Sequence, residues 1–295
     1  MRADESRAGG DRGGDGRDGD DRGIGSRELV VAAALALAVV AATAAFPAVV
    51  DARAAYEIPV ERQSGAADLA EPTGDAWESV QSVTVPMSST GAAVPGGSDT
   101  AVESVRVEAA RTDERLYLRL SWSDPTANAS TDSLRAFADA AAVQLPVSSE
   151  SQPPIAMGST DERVNVWYWN AADGSESLLA GGAGSTTRIP ESAVETAATH
   201  TGDRWSLVFS RSLSADRANV TDVDPSRDVN AAFAVWEGGN DERSGQKAAS
   251  EWFYLSLSPS EGAAAYETVL WAIAGIAVVF TTLVTVEGIR RTRGE

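Results

Sequence analysis

The chain has 295 residues and a formal net charge of -19, with 43 acidic residues against 24 basic ones. That much negative charge repels nucleic-acid phosphates and argues against a nucleic-acid partner. There is no cysteine and a single histidine, His200. This excludes disulfides, thiolate nucleophiles, iron-sulfur clusters, covalent haem attachment through Cys-x-x-Cys-His and any multi-histidine metal site. Arginine supplies every cation but one, and the exception is Lys247. Lysine depletion with acidic excess is the pattern of adaptation to high salt, a halophilic surface on which carboxylates hold water and repulsion is screened.

In chain order, residues 1–28 cycle through Gly, Asp and Arg with almost nothing to bury, which predicts a disordered cytoplasmic tail. Residues 29–50 are an uncharged run of mainly Ala, Val and Leu, matching the roughly 20 apolar residues of a transmembrane helix. Ala52-Arg53-Ala54 offers small residues at both positions that a signal peptidase reads, so a retained anchor and a cleaved signal segment are both open. A second span is predicted over 266–288, around the apolar run Val269 to Val286. The basic tail 289–295, with Arg290, Arg291 and Arg293, should lie on the cytoplasmic side. Arg22 and Arg27 favour the same side for the N-terminus, which leaves residues 51–262 as an extracytoplasmic domain at the cell membrane.

That segment reads as all-β. Val105 to Arg111 and Leu116 to Trp122 alternate on either side of a polar turn, as a hairpin does. Ala141 to Leu145, Arg163 to Trp169, Arg204 to Phe209, Asn230 to Trp236 and Glu251 to Leu257 are further strand candidates. One short helix is expected near Thr131 to Ala140. Strands separated by turn-rich loops predict a β-sandwich or a partly closed barrel.

The usual catalytic sets are missing. His200 sits in a Thr-His-Thr sequence with no Gly-x-Ser-x-Gly elbow before it and reads as an exposed loop residue. The glycine-rich stretches near Gly181 and Gly238 lack the Lys-Ser or Lys-Thr pair of a phosphate-binding loop. Asp222, Asp224 and Asp228 match a calcium loop poorly and read as a solvated acidic loop. Two residues stand apart. Met157 lies in the proline-stiffened loop Gln152 to Gly158, just before the aromatic strand Val164 to Trp169, whereas Met87 lies in a plain Pro-Met-Ser-Ser turn. Lys247 lies between the strand candidates ending at Trp236 and beginning at Glu251. A methionine is most often core packing and a lysine most often a surface charge. A thioether and a deprotonated amine, each in a loop beside Trp-rich strands, are also a pair that can hold a haem iron from both sides.

The segments Phe137 to Pro146, Pro154 to Gly158, Val164 to Trp169, Trp205 to Leu213, Ala232 to Gly238 and Gly245 to Trp252 resemble the haem b-binding gamma subunit of ethylbenzene dehydrogenase and related molybdoenzymes of the dimethyl sulfoxide reductase family. The resemblance spans about residues 56–257. It implies a β-sandwich that binds one haem b non-covalently, with Met157 and Lys247 as iron ligands and no catalytic residue. It further implies a molybdopterin catalytic subunit, an iron-sulfur subunit and a respiratory electron carrier as partners. On this reading the chain relays electrons and is not itself an enzyme. The alternative is a membrane-tethered sandwich that binds carbohydrate or another small ligand without haem. Trp167, Trp169 and Trp236 are explained equally well by core packing and receive no site role.

Overall fold

The structure is a computed structural model that describes residues 55–257 apart from 66–67, 149–151, 192 and 216. The spans expected at 29–50 and 266–288, and the tails 1–28 and 289–295, lie outside the described residues. Among those described, no helix is long and apolar enough to cross a membrane.

The described chain is all-β, as the alternating sequence predicts. Its strands are β1 (Glu57–Arg62), β2 (Ser82–Pro86), β3 (Ser88–Ser89), β4 (Ser104–Arg111), β5 (Arg115–Ser123), β6 (Ala140–Pro146), β7 (Val164–Asn170), β8 (Gly174–Ala180), β9 (Thr186–Arg188), β10 (Glu195–Thr201), β11 (Arg204–Ser212), β12 (Val229–Trp236), β13 (Ala248–Ala249) and β14 (Phe253–Ser256). They form one continuous sheet in the order β10-β11-β5-β4-β1-β14-β12-β6-β7-β8-β9. The sheet folds over on itself as a half-barrel, and the fold line is β1. Glu57 to Pro59 pair in parallel with β14, while Val60 to Arg62 pair in parallel with β4.

The two halves face each other across one core. Leu118, Leu120, Leu207 and Phe209 come from one half, and Val143, Trp167, Phe233 and Val235 from the other; all are essentially inaccessible. Trp169 meets Trp205 edge-on with centroids 5.2 Å apart, and Trp167 lies 6.4 Å from Phe209. Trp167 and Trp169 are therefore core residues. Because side chains alternate along a strand, each half also has an outer face. On the β4-β5-β11 half, the segment around a short 3-10 helix at Asp75–Ser79 closes that face with Leu69, Trp77 and Val80.

Three expectations are corrected. Residues 131–140 form turns and extended chain instead of a helix, because Leu134 is fully exposed and no apolar stripe is buried. Asp139 is held extended there: its carboxylate accepts the Asn128 and Gly238 amides, and its own carbonyl accepts from Ala171. His200 is not a loop residue. It lies half-buried on β10, with Nε2 2.9 Å from the Asp124 carbonyl and its ring edge-on to Trp205. Met87 is not a plain turn residue either, since it is buried in the main core between β2 and β3.

Candidate functional site

The outer face of the β12-β6-β7-β8 half is not sealed. Register places Ala232 opposite Gln144, Ala234 opposite Ala142, Ala142 opposite Tyr168, and Val166 opposite both Gln144 and Leu178. These residues share one face and form the floor of a cavity of about 640 Å³. Ala142, Ala232 and Ala234 carry only a β-carbon and keep the centre of this floor low. The volume falls inside the roughly 300–1,000 Å³ range of sites that enclose a small molecule or cofactor, and the lining is mainly apolar.

Loops form the walls, and two of them bring Met157 and Lys247 into the same cavity. The methionine loop turns sharply after Pro153-Pro154. Gly158 N–H donates to the Pro154 carbonyl at 2.9 Å, and Met157 N–H to Ile155 at 2.8 Å. Met157 is left-handed, with φ 66°, a conformation that costs a non-glycine residue about 1–3 kcal/mol and persists only where surroundings enforce it. Here they do. Gln144 Nε2 donates to the Ile155 carbonyl at 3.2 Å, Trp252 Nε1 to Pro153 at 3.0 Å, and Gly182 N–H to Met157 at 2.9 Å. Gly158 has φ 71°, and a β-carbon on it would lie 2.4 Å from the Glu162 carbonyl, so glycine is required.

The lysine loop is fixed in the same manner. Thr90 Oγ1 donates to Gly245 at 2.7 Å, Trp236 Nε1 to Ser244 at 3.1 Å, and the buried Gln246 Nε2 to Asp99 at 3.1 Å. One residue later, β13 pairs with β12 and β3, so Lys247 leaves from a clamped backbone. Its Nζ lies 4.9 Å from the Trp236 ring centroid, and Trp236 meets Tyr168 edge-on at 5.6 Å. Burial pushes the Lys247 ammonium below its ordinary value, because partial desolvation penalises the charged form.

Chemically the cavity offers a soft thioether, an amine whose proton is destabilised, hydroxyls at Ser88, Ser89 and Thr90, and an apolar floor. The model for the ethylbenzene dehydrogenase family matches residues 74–189 and 182–248. The chain belongs to that family. A protein of Haloferax mediterranei named as a respiratory nitrate reductase heme subunit, ORF7, is 47% identical over 269 residues, covering 91% of this chain and 98% of its own length. The chlorate reductase subunit gamma of Ideonella dechloratans is 34% identical, covering 64% of this chain and 80% of its own. The dimethylsulfide dehydrogenase subunit gamma of Rhodovulum sulfidophilum is 36% identical, covering 52% and 60% respectively. Among solved structures, a family 9 carbohydrate-binding module from Caldicellulosiruptor kristjanssonii overlays with a TM-score of 0.41 at 14% identity, over 67% of this chain and 83% of its own. That overlay is too loose to support sugar binding.

Sequence reasoning singled out both loop residues of this ethylbenzene dehydrogenase family member but missed what surrounds them. Gln144 and Trp252, which anchor the methionine loop, and Tyr168, which flanks Trp236, lie inside the segments that carry the family resemblance but received no role of their own. Their signal was the alternation of β6 and β7, whose second apolar face needed something to cover it. Trp236, given no site role, lines the cavity, whereas Trp167 and Trp169 point the other way.

Proposed function

We propose that this chain is the haem b subunit of an extracytoplasmic molybdenum oxidoreductase, an electron-transfer protein and not a catalytic one, in which Met157 and Lys247 would hold the iron of a non-covalently bound haem. The carrying observation is that a 640 Å³ apolar cavity is lined by both residues. Family membership and three relatives named as haem or gamma subunits support the same reading.

The residues suit the group. The Met157 sulfur is a soft ligand, and Lys247 binds a metal once its proton has left, which burial already favours. The apolar alanine floor would pack against the porphyrin, and Ser88 and Ser89 would offer hydroxyls to its carboxylate groups. Haem held from both sides supplies single-electron chemistry without an open iron position for substrate. A molybdopterin subunit, an iron-sulfur subunit and a respiratory carrier are the partners this role requires. Residues 29–50 and 266–288 would hold the domain outside the cell membrane.

A Soret band with a low-spin spectrum is expected from the purified chain. Lys247→Arg keeps positive charge and similar length but provides no neutral nitrogen. It should convert the haem to high spin and let carbon monoxide bind the reduced form. An unchanged low-spin spectrum in that variant would exclude lysine ligation, and native protein without haem would remove the cytochrome reading.

A further inference from the structure

Where β12 ends, Trp236 lines the cavity, and the next residue, Glu237, is still extended, so its side chain leaves on the opposite face. There it meets negative charge on every side. Burial and the carboxylates of Asp124, Glu242 and Asp139 raise the Glu237 carboxyl to about 7, and no cation among the described residues offsets them. Two of those neighbours are satisfied. Asp139 accepts from the Asn128 and Gly238 amides and from Trp205 Nε1 at 3.0 Å. Glu242 accepts from the Ala101 and Glu237 amides and from Asn240 Nδ2.

Asp124 is different. It is 0% exposed, and although Oδ1 accepts from the Thr126 amide at 2.9 Å and lies 3.1 Å from Thr126 Oγ1, its Oδ2 is buried with no partner. A buried polar oxygen without a hydrogen bond loses its water with nothing in exchange. His200 does not relieve it, because Nε2 contacts the Asp124 carbonyl instead. More oxygen gathers beside it. A β-carbon placed on Gly239 would lie 2.8 Å from Thr126 Oγ1, 3.2 Å from Asn128 Oδ1 and 3.6 Å from Glu237 Oε1. Three side-chain oxygens thus converge on a space kept open by a glycine, although Thr126 Oγ1 also donates to Asn128 Oδ1 at 2.6 Å.

We propose that Asp124 and Glu237, with Thr126 Oγ1 and Asn128 Oδ1, bind a hard divalent cation of the calcium class. Two carboxylates neutralise a double charge, neutral oxygens and water complete the shell, and the absence of nitrogen or sulfur ligands disfavours softer metals. Among the described residues, no three of His, Cys, Asp and Glu are grouped to hold a metal, and the proposed ligand set has only two carboxylates beside its two neutral oxygens. The bound ion joins the 124–139 connection to the loop after β12, which leads to Lys247. The site stands whether or not haem binds in the cavity.

The test uses the full chain freed of divalent ions with chelator, in high sodium chloride to suppress diffuse binding to its acidic surface. Terbium should bind one saturable site and be sensitised by tryptophan, since Trp205 hydrogen-bonds to Asp139 beside it. Calcium should displace terbium and raise the melting temperature. Asp124→Asn, Glu237→Gln and Thr126→Val should each weaken calcium about tenfold or more, because affinity in such sites follows ligand charge and number. The exposed control Asp161→Asn should not. Circular dichroism checks the fold, and Glu237→Gln should melt no lower than native protein in chelator because it removes an opposed charge. Absence of a saturable site, or equal affinity in native, Glu237→Gln and Thr126→Val proteins, would overturn the proposal.

Discussion

At the residue scale, the two described methionines separate by surroundings and not by chemistry. Met157 is presented to a cavity by a left-handed backbone that side chains from β6 and β14's approach hold in place. Met87 is packed against Val85, Val105 and their neighbours in the core. Met87→Ala should therefore cost about 2–5 kcal/mol through the cavity it leaves. Its haem spectrum should stay native in the folded protein. Met157→Ala should show the opposite pattern, with stability nearly unchanged in haem-free protein and loss of six-coordinate haem. Chemical denaturation beside absorption spectra checks both, and a spectral change in Met87→Ala with none in Met157→Ala would reverse the assignment.

At the element scale, the difference between the two outer faces decides where a ligand can sit. On the β4-β5 face, Arg119 makes a bidentate pair with its cross-strand partner Glu108, both bonds at 2.6 Å. It also donates to the Pro72 carbonyl at 3.0 Å and lies 4.9 Å from the Trp77 ring centroid. This arginine bolts the 68–80 segment over the sheet. Glu108 is 4% exposed, so Glu108→Ala leaves the part-buried Arg119 guanidinium without its counter-charge. Breaking such a pair from one side costs about 3–5 kcal/mol. The expected result is a lower melting temperature with an unaltered haem spectrum, since that face is remote from the cavity; a native melting temperature would show that the pair contributes little. On the other face, loops stand off the alanine floor and leave the cavity. The strongly alternating strands were legible in the sequence. β1, β2, β3 and β13 were not among the expected strands, nor were β8, β9 and β10, where Gly174-Ser-Glu-Ser and Glu195 to Thr201 bury little and carry no sustained apolar alternation.

At the whole-molecule scale, one strand determines that the halves close on each other. β1 pairs forward with β14 and then with β4, and Ile58 at the change of partner is 0% exposed in the shared core. Ile58→Ala should cost about 2–5 kcal/mol. Because the same core backs the cavity floor through Val143 and Phe233, haem should be released in the same transition as the fold is lost. Thermal melts followed at the Soret band and by circular dichroism should coincide in this variant. Separate transitions would show that the two halves melt independently.

The sequence alone determined the all-β class, most of the core strands, the exclusion of thiol and multi-histidine chemistry, and the two residues able to hold a metal through sulfur and amine. Those are properties of residue type and local period, which need no knowledge of long-range neighbours. Only the tertiary structure decided that Met157 and Lys247, 90 positions apart in the chain, open onto one cavity. It likewise decided that Met87 is core, that His200 belongs to a strand, and that Asp124, Asp139 and Glu242 come close enough to act on Glu237. Each of those outcomes depends on strand register and on which face a loop covers. Register is set by the packing of the whole sheet, so no local stretch of sequence contains it.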